Sequence, residues 1–419
     1  MAREKIPAWL LAQTDFDGAP KWFHKKRMAY RENMKLLGLP TNKNEHWRNA
    51  DLSFLRQSFE PMRSGSTIPG KINHASDNLL LPLINGVLID EYIDQSLLPE
   101  GMIVCRASLA IQQYPELFQQ YWIDLPAAER YPFAHINAGS FSDGLFLFVP
   151  DNLKLVVPVT FFCLVGDDKA SIIQPHHLIV LGKNSQLNLL EIHDSTSTKP
   201  VLINTVSTFI LKDHAQLTYG KIQQQSSSSI HLAHTFIKQH EQSTLDFANF
   251  SCGAGFARDE MLIELLGAHA HCHLNGLYNV RLQNQYMDHH VAIRHLATLT
   301  KSNLLYKGIL DNNARAVFNG QLYIEPGIQK ITAQQLNHNL LLTDQAEIFS
   351  KPELEIYADD VICRHGATTG QLDETALYYL RSRGIDYASA KTMLMEGFIA
   401  DVLERMPKAF ATRFLENII

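Results

Sequence analysis

The chain has 419 residues, of which 46% are hydrophobic and 19% are charged, so it is long enough for two or three units with a buried core and is not a disordered protein. Its 37 basic and 43 acidic residues give a net charge of -6 at pH 7. This balance argues against nucleic acid as a partner, because phosphates normally recruit a basic face. The sequence contains no run of about 18 apolar residues, and we therefore predict no membrane span.

The start of the chain and its cysteines indicate the compartment. Charges stand near the first residue but no apolar block follows them, so we predict no secretory signal. The five cysteines are Cys105, Cys163, Cys252, Cys272 and Cys363. They lie far apart and form neither a CxxC motif nor the dense framework of a disulfide-rich domain. A reducing cytosol suits this pattern, and we expect a cytoplasmic protein.

The first part of the chain mixes helical and irregular patterns, and we predict a mainly helical N-terminal domain over residues 1–145. Apolar residues recur at helical spacing from Trp22 to Leu37, and the following GLP is typical of a helix end. The stretch YPELFQQYW, residues 114–122, predicts a further short helix. Between them, NEHWRNADLSFL is a candidate docking element.

Residues 146–365 predict a β core, because short β-type segments alternate there with turn residues. One pattern, a small or polar residue after a polar turn followed by apolar alternation, returns in NSQLNLLEIH, HAQLTYGKIQ, QSTLDFANFS, HAHCHLNGLY, NARAVFNGQLY and QAEIFSKPELEIY. Most of these segments recur about every 27 to 32 residues, which is the range of solenoid repeats. A sandwich also fits short regular strands, but the same-phase recurrence favours a solenoid.

The end of the chain becomes helical again and predicts a C-terminal helical domain over residues 366–419. Asp373 can cap a helix whose last turn carries Arg381 and Arg383 and which ends at Gly384. Two more helical segments are predicted in ASAKTMLMEGF and IADVLERMPKAF. Their shared apolar stripe suits a docking surface or a cap on the solenoid.

Motifs for nucleotide phosphates and common hydrolases are missing, since the sequence has no GxxxxGK[ST], GxSxG or HExxH. A partner must therefore supply any nucleotide energy. In HAHCH, an extended strand would turn His269, His271 and His273 to one face. A metal-dependent β-fold enzyme that uses these histidines is the alternative function. Such a site needs a further ligand from a neighbouring strand. We therefore favour a structural or solvent-facing role of the three histidines over a metal site.

Cys363 and His365 form a different kind of pair. They stand two residues apart on an extended run and would face the same side. Thiolate and imidazole together suit iron or iron-sulfur ligation. Two ligands do not complete a cluster site, which normally has about four. The pair is therefore either inert or completed by a second chain.

The stretch from RAVFNGQLYIEPG to CRHGATTGQLDETALYYLRSRGI resembles the signature of the SufB/SufD family of iron-sulfur cluster assembly scaffolds. The form CRHGATTGQLDE is similar to the SufD branch of that family rather than to the SufB branch. GLPTNKNEHWRNADL, DGLFLFVP and DHHVAIRHLATLTKSNLLYKGIL extend the likeness over nearly the whole chain. The stretches GIQKITA and AEIFSKPELEI depart from the usual family forms. Arg364 also departs, and its cation beside the pair would either lower the Cys363 pKa or contact a sulfide-bearing intermediate.

This resemblance implies a mainly β fold, a right-handed parallel β-helix flanked by helical N-terminal and C-terminal domains. It implies a non-catalytic scaffold subunit that pairs with a SufB-like protein through the end of the β-helix. By motif position His365, with Cys363 beside it, would join a SufB cysteine in forming the nascent cluster. No cofactor is expected to stay tightly bound to the lone chain, because the iron-sulfur cluster is transient and shared with SufB in the complex.

The same resemblance implies that the C-terminal helices dock a SufC-like ABC-type ATPase. The candidate docking residues are Tyr378, Tyr379, Arg381, Arg383, Met393 and Phe398. A homodimer of the lone chain is also physically allowed, because the end of a β-helix can pair with a copy of itself.

Overall fold

The structure is a computed structural model that describes residues 4–12, 16, 18–62, 78–166, 169–406 and 410. Its α-helices are α1 (Lys21–Leu37), α2 (Ala107–Gln113), α3 (Pro115–Tyr121), α4 (Pro132–Ser140), α5 (Glu374–Ser382) and α6 (Tyr387–Arg405). Short 3-10 helices cover Ala8–Leu11, Glu45–Trp47, Ser53–Arg56, Asp90–Tyr92 and Gln95–Leu97. Within the described residues, every helix is too short or too polar to span a bilayer.

The strands occupy most of the remaining described chain. They are β1 (Glu60–Pro61), β2 (Leu79–Ile84), β3 (Val87–Leu88), β4 (Ile103–Arg106), β5 (Leu145–Val149), β6 (Val159–Val165), β7 (Ser171–Ile173), β8 (His176–Leu181), β9 (Gln186–Ser195), β10 (Val201–Leu211), β11 (Gln216–Gln223), β12 (Ser229–Gln239), β13 (Thr244–Ser251), β14 (Phe256–Leu265), β15 (His271–Val280), β16 (Tyr286–His295), β17 (Lys301–Leu310), β18 (Arg315–Ile324), β19 (Ile331–Leu341), β20 (Glu347–Ile356) and β21 (Val361–Gln371).

These strands form a β-solenoid with two faces, and each face is a sheet of mainly parallel strands. From β8 onward, consecutive strands alternate between an 11-stranded sheet, which ends at β20, and a 10-stranded sheet, which ends at β21. Each strand pairs in parallel with the strand two positions further along the chain, as β15 does with β17. The predictions of a mainly β fold and of a solenoid are confirmed. The sandwich alternative is wrong, because a hairpin-connected sandwich would pair its strands antiparallel.

The recurring sequence pattern has a structural cause at the corners of the solenoid. Asn184, His214, Gln242 and His269 each precede a strand with φ between 53° and 61°. This left-handed conformation turns the chain into the next strand, and polar residues tolerate it better than branched ones. The residue that follows each of them is small and buried, namely Ser185, Ala215, Ser243 and Ala270. A larger side chain at that corner would enter the lumen between the two sheets.

The helix ends follow the predicted signals at both ends of the chain. Gly38, directly after α1, has a φ of 72°, as expected of a helix stop. The carboxylate of Asp373 accepts hydrogen bonds from the backbone amides of Thr375 and Ala376, and so caps α5. The prediction of two separate segments after Asp386 is wrong. As far as Arg405 they form the single helix α6, because no proline stands between them and Gly397 is accommodated inside the helix.

The N-terminal segment packs on the outward face of the 11-stranded sheet around one buried ion cluster. The guanidinium carbon of Arg258 lies 3.8 Å from the centroid of the Trp47 ring. The same guanidinium donates to Glu260, at 2.6 Å, and to Asp288. Since all three ionised groups are buried, their mutual pairing is required to offset the loss of hydration. The cluster therefore connects residues 45–47 to the strands β14 and β16 of the 11-stranded sheet.

Inside the lumen, β15 and β17 interlock through two tyrosines and two glycines. In register, Gly276 stands beside Tyr306 and Tyr278 stands beside Gly308. A Cβ atom added to Gly308 would lie 2.1 Å from Cε2 of Tyr278, and one added to Gly276 would lie 2.2 Å from Cε1 of Tyr306. Both rings are fully buried, so neither can move aside into solvent. The glycines are needed for the close approach of the rings.

We expect Gly308→Ala to lower the free energy of unfolding by about 1–3 kcal/mol, the usual cost of overpacking a filled core. Gly370→Ala is the matched control, because Gly370 also lies in a strand of the 10-stranded sheet but has no atom within 4 Å of a built Cβ. Denaturant unfolding of both variants measures the difference. Equal stability of the two variants would contradict the interlocked packing.

Candidate functional site

The solenoid ends in two open strand edges. β21 pairs with β19 on one side, and no described strand lies on its other side. β20 occupies the same position in the opposite sheet. An edge strand presents unpaired N–H and C=O groups, which form a template for pairing with another chain. The end of the solenoid is therefore the first candidate for an interaction surface.

Cys363 and His365 both lie on β21, two residues apart and on the same face. In register, Cys363 lies beside Ala333 and His365 beside Gln335. The Cys363 side chain is half-buried and packs against the hydrophobic cluster of the lumen, whereas His365 is exposed. Burial raises the pKa of the Cys363 thiol. Arg364 projects to the other face by the strand alternation, so the suggested lowering of this pKa does not occur in the isolated chain.

The pair offers one sulfur and one nitrogen donor at the rim of the lumen. Side chains two positions apart on a strand are separated by about 7 Å along the strand, which is wider than the ligand spacing of one metal ion. Among the described residues, no third Cys, His, Asp or Glu completes a metal-binding group with Cys363 or His365. On its own, the pair therefore does not form a complete metal site, and any further ligands would have to come from outside the described residues.

Apolar side chains surround this open end without being covered. Phe349 and Ile356 on β20, Tyr357 just after it and Ile362 on β21 are all exposed, Ile362 to 62%. Large exposed apolar side chains that cluster on one surface are typical of protein interaction sites. Their position next to the two strand edges extends the same surface.

The C-terminal helices present a second surface. Tyr378 and Tyr379 on α5 are 75% and 55% exposed. The guanidinium of Arg383 lies 5.0 Å from the centroid of the Tyr379 ring, and Arg381 contacts the ring of Tyr387 at 5.8 Å. In the described residues of α5 no side chain is buried, so this helix has polar and aromatic groups free for a partner.

The apolar stripe of α6 packs on the solenoid itself. Ile399 and Val402 are buried against the outward face of the 10-stranded sheet, where they contact a cluster that includes Leu277 and Leu305. Residues 407–409, at the end of the second predicted segment, lie outside the described residues. The stripe therefore packs on the side of the solenoid and does not cover its open end.

Phe398 and Met393 differ in their surroundings on α6. The ammonium of Lys307 donates to the backbone oxygen of Phe398 at 2.5 Å and lies 4.7 Å from its ring. Lys307 also pairs with Asp401 at 2.6 Å. Met393 is 47% exposed. The structure therefore uses Phe398 to hold α6 on the solenoid and leaves Met393 accessible.

The three histidines of HAHCH do not converge. His269 lies in the turn before β15, with a φ of 60°, and not on the strand. His271 is half-buried and His273 is exposed, and their register neighbours on β17 are Lys301 and Asn303. The expected single face of three imidazoles is wrong, because the strand begins only at His271. In the described chain these histidines do not form part of a metal-binding group.

The sequence pattern did not reveal a set of polar side chains inside the lumen. Glu191 and Lys221 are register neighbours on β9 and β11, and both are buried. The Lys221 ammonium donates to Asp259 of the opposite sheet at 3.0 Å. The available signal was the presence of charged residues at inward positions of otherwise apolar strands. Their partners across the lumen could not be identified without the register.

The chain matches two family models that together cover most of its length. Residues 162–398 match the core domain of the SufBD proteins of the SUF system for iron-sulfur cluster assembly, and residues 14–161 match the N-terminal region of SufBD proteins.

Several relatives are similar over nearly their full length. An iron-sulfur cluster assembly SufBD family protein of Synechocystis is 30% identical, with 92% of this chain and 87% of the relative covered. The iron-sulfur cluster assembly protein SufD of Escherichia coli is 27% identical, over 88% of this chain and 86% of that protein. SufD of Bacillus subtilis is 25% identical, over 96% and 94%.

Proposed function

Because the chain belongs to the SufBD family of iron-sulfur cluster assembly proteins, we propose that it acts as the SufD-type scaffold subunit of a complex with a SufB-like protein and a SufC-like ATPase. The observation that carries this proposal is the incomplete donor pair on an open strand edge. Cys363 and His365 lie at the rim of the lumen on β21, where a second chain can pair. A partner subunit would supply the missing ligands across the interface.

The cluster in this proposal is cargo and not a resident group. Iron-sulfur clusters are normally held by about four protein ligands, and this chain offers His365 with Cys363 as its neighbour. An exposed imidazole can bind or release iron without breaking internal hydrogen bonds of the fold. His365 would therefore contribute to the nascent cluster, and the SufB-like partner would contribute a cysteine.

The energy for the process would come from the ATPase, since the sequence has no phosphate-binding loop. Tyr378, Tyr379 and Arg381 on α5, Arg383 directly after it and Met393 on α6 form the surface that we assign to this partner. Because α6 is fixed to β17 through Lys307, a displacement of the helices would reach the solenoid. This chain itself would act as a scaffold and catalyse no reaction.

We propose that the chain has three domains. Residues 1–145 would form the N-terminal domain, residues 146–365 the β-helix core of right-handed sense, and residues 366–419 the ATPase-docking domain. We propose a cytoplasmic location. In the absence of partners, the exposed edges of β20 and β21 would also support a homodimer.

Co-expression with the SufB-like and SufC-like proteins of the same organism tests the proposal. Native mass spectrometry should detect one assembly that contains all three chains. The chain expressed alone is the control and should be a monomer or a homodimer without stoichiometric iron-sulfur cluster. Absence of a complex under these conditions would contradict the scaffold function.

We expect His365→Ala to preserve folding and assembly but to lower cluster formation about tenfold or more, because even changes next to a metal ligand reduce affinity about 10–100-fold. The neighbouring Arg364→Ala, on the other face of β21, is the matched control. Cluster formation is followed by visible absorption after anaerobic reconstitution of the complex. Equal yields from both variants would show that His365 has no role in the cluster.

We expect Tyr378→Ser with Met393→Ser to weaken binding of the ATPase without changing the stability of the lone chain, because both side chains are exposed. Phe398→Ala should instead lower the free energy of unfolding by about 1–2 kcal/mol, since it removes a half-buried ring that packs on the solenoid. Calorimetric titration with the ATPase and thermal unfolding separate the two effects. The assignment of α5 and α6 to the ATPase would be wrong if the double variant bound normally.

A further inference from the structure

A second group of donor side chains lies inside the lumen, far from the open edge. Cys163 on β6 and His193 on β9 are register neighbours, and Glu191 lies two residues before His193. All three side chains are buried. The Cys163 sulfur, a His193 ring nitrogen and a Glu191 carboxylate oxygen all lie within 4.8 Å of one another. Adjacent ligand atoms of a tetrahedral zinc ion are separated by about 3–4 Å, so small side-chain rotations would bring these atoms around one ion.

A fourth donor projects from the opposite sheet. His177 on β8 is fully buried, and its Nδ1 accepts a hydrogen bond of 3.0 Å from the backbone amide of Leu145. Its Nε2 therefore points away from β5, into the lumen, and has no hydrogen-bond partner. The ring stands edge-on to Phe161 at 4.9 Å, and Phe161 is the register neighbour of Glu191. A buried imidazole nitrogen without a partner is uncommon and costs free energy unless a ligand occupies it.

The carboxylate of this group is already held in place. Tyr219 donates to Oε2 of Glu191, while the other oxygen contacts Nε2 of His193 at 2.5 Å. Burial raises the pKa of Glu191, but the neighbouring His193 and Lys221 outweigh it and bring this pKa to about 2. Glu191 is thus an ionised oxygen donor with a fixed orientation. Such support of a ligand by a second hydrogen bond is typical of metal sites.

Without an ion, Cys163 has a different chemical state. Burial raises the pKa of its thiol well above the usual value, so the sulfur stays protonated at neutral pH. A bound divalent ion would displace this proton to solvent, and the His193 imidazole would stay neutral, with its hydrogen on the ring nitrogen that faces away from the ion. The resulting thiolate and carboxylate would balance the two positive charges of the ion in the dry lumen.

We propose that Cys163, Glu191 and His193, with His177 as the fourth donor, bind one zinc-class divalent metal ion inside the solenoid. Sulfur and imidazole donors select such ions over magnesium or calcium, which prefer oxygen ligands. The ion would cross-link β6 and β9 of one sheet to β8 of the other. This site is independent of the proposed function, since β6 and β21 lie toward opposite ends of the 10-stranded sheet.

Cobalt is a suitable probe, because a cobalt-thiolate bond gives a charge-transfer absorption that zinc lacks. The full-length chain is unfolded, freed of metal and refolded with Co²⁺, so that burial of the site does not prevent loading. We expect about one equivalent of bound Co²⁺ with thiolate charge transfer. Cys163→Ser should abolish the charge transfer and weaken binding at least tenfold. Zinc added during refolding should also raise the unfolding temperature of the unmodified chain but not of this variant.

Cys272→Ser is the matched control, because Cys272 is equally buried in the lumen but faces away from His271 and His273. It should retain the cobalt spectrum. His193→Gln gives a second variant with an intact thiol, and it should bind Co²⁺ at least tenfold more weakly than the unmodified chain. The proposal is overturned if the unmodified chain binds no equivalent of cobalt, or if Cys163→Ser and Cys272→Ser bind it alike.

Discussion

The in-register parallel stacking of strands is the constraint on which the rest of the structure depends. Each inward side chain lies directly beside the inward side chains of the turns before and after it. The inward side chains therefore form rows that run along the solenoid axis. A side chain of unsuitable size or charge disturbs the packing of its neighbours in the same row, in the turn before it and in the turn after it. Apolar rows such as Leu217 and Leu245 stabilise the stack by removing surface from water. Rows that contain charges, such as Glu191 and Lys221, must pair within the lumen.

Much of the architecture could be predicted because its causes are local. A left-handed turn residue followed by a small residue marks four corners, at Asn184, His214, Gln242 and His269. The stop of α1 at Gly38 and the cap of α5 at Asp373 depend on residues next to the helix ends. The continuous α6 was missed, because neither a pause in the apolar pattern nor the single Gly397 interrupts a helix that lacks a proline.

The candidate sites were harder to predict from the sequence than the fold, because most of them combine residues from different strands or turns. Cys363 and His365 share a strand, so alternation alone places them on one face. His269 has the same spacing from His271, but the corner turn removes it from the strand. Cys163 lies on β6 and Glu191 and His193 lie on β9, and the proximity of the three depends on the lengths of the turns between these strands. A single sequence does not contain that information in a form that periodicity can recover.

The reciprocal contact of Tyr278 with Gly308 and of Tyr306 with Gly276 limits how the chain length can change. Solenoids usually tolerate gain or loss of single repeats, because each repeat contacts only its neighbours. Here the ring of each turn requires the glycine of the other. Loss of either turn alone would leave one tyrosine against a neighbour that has a Cβ, or one glycine beside an empty space. These two turns can therefore be gained or lost only together. Relatives with fewer or more turns are expected to have lost or gained them elsewhere in the solenoid.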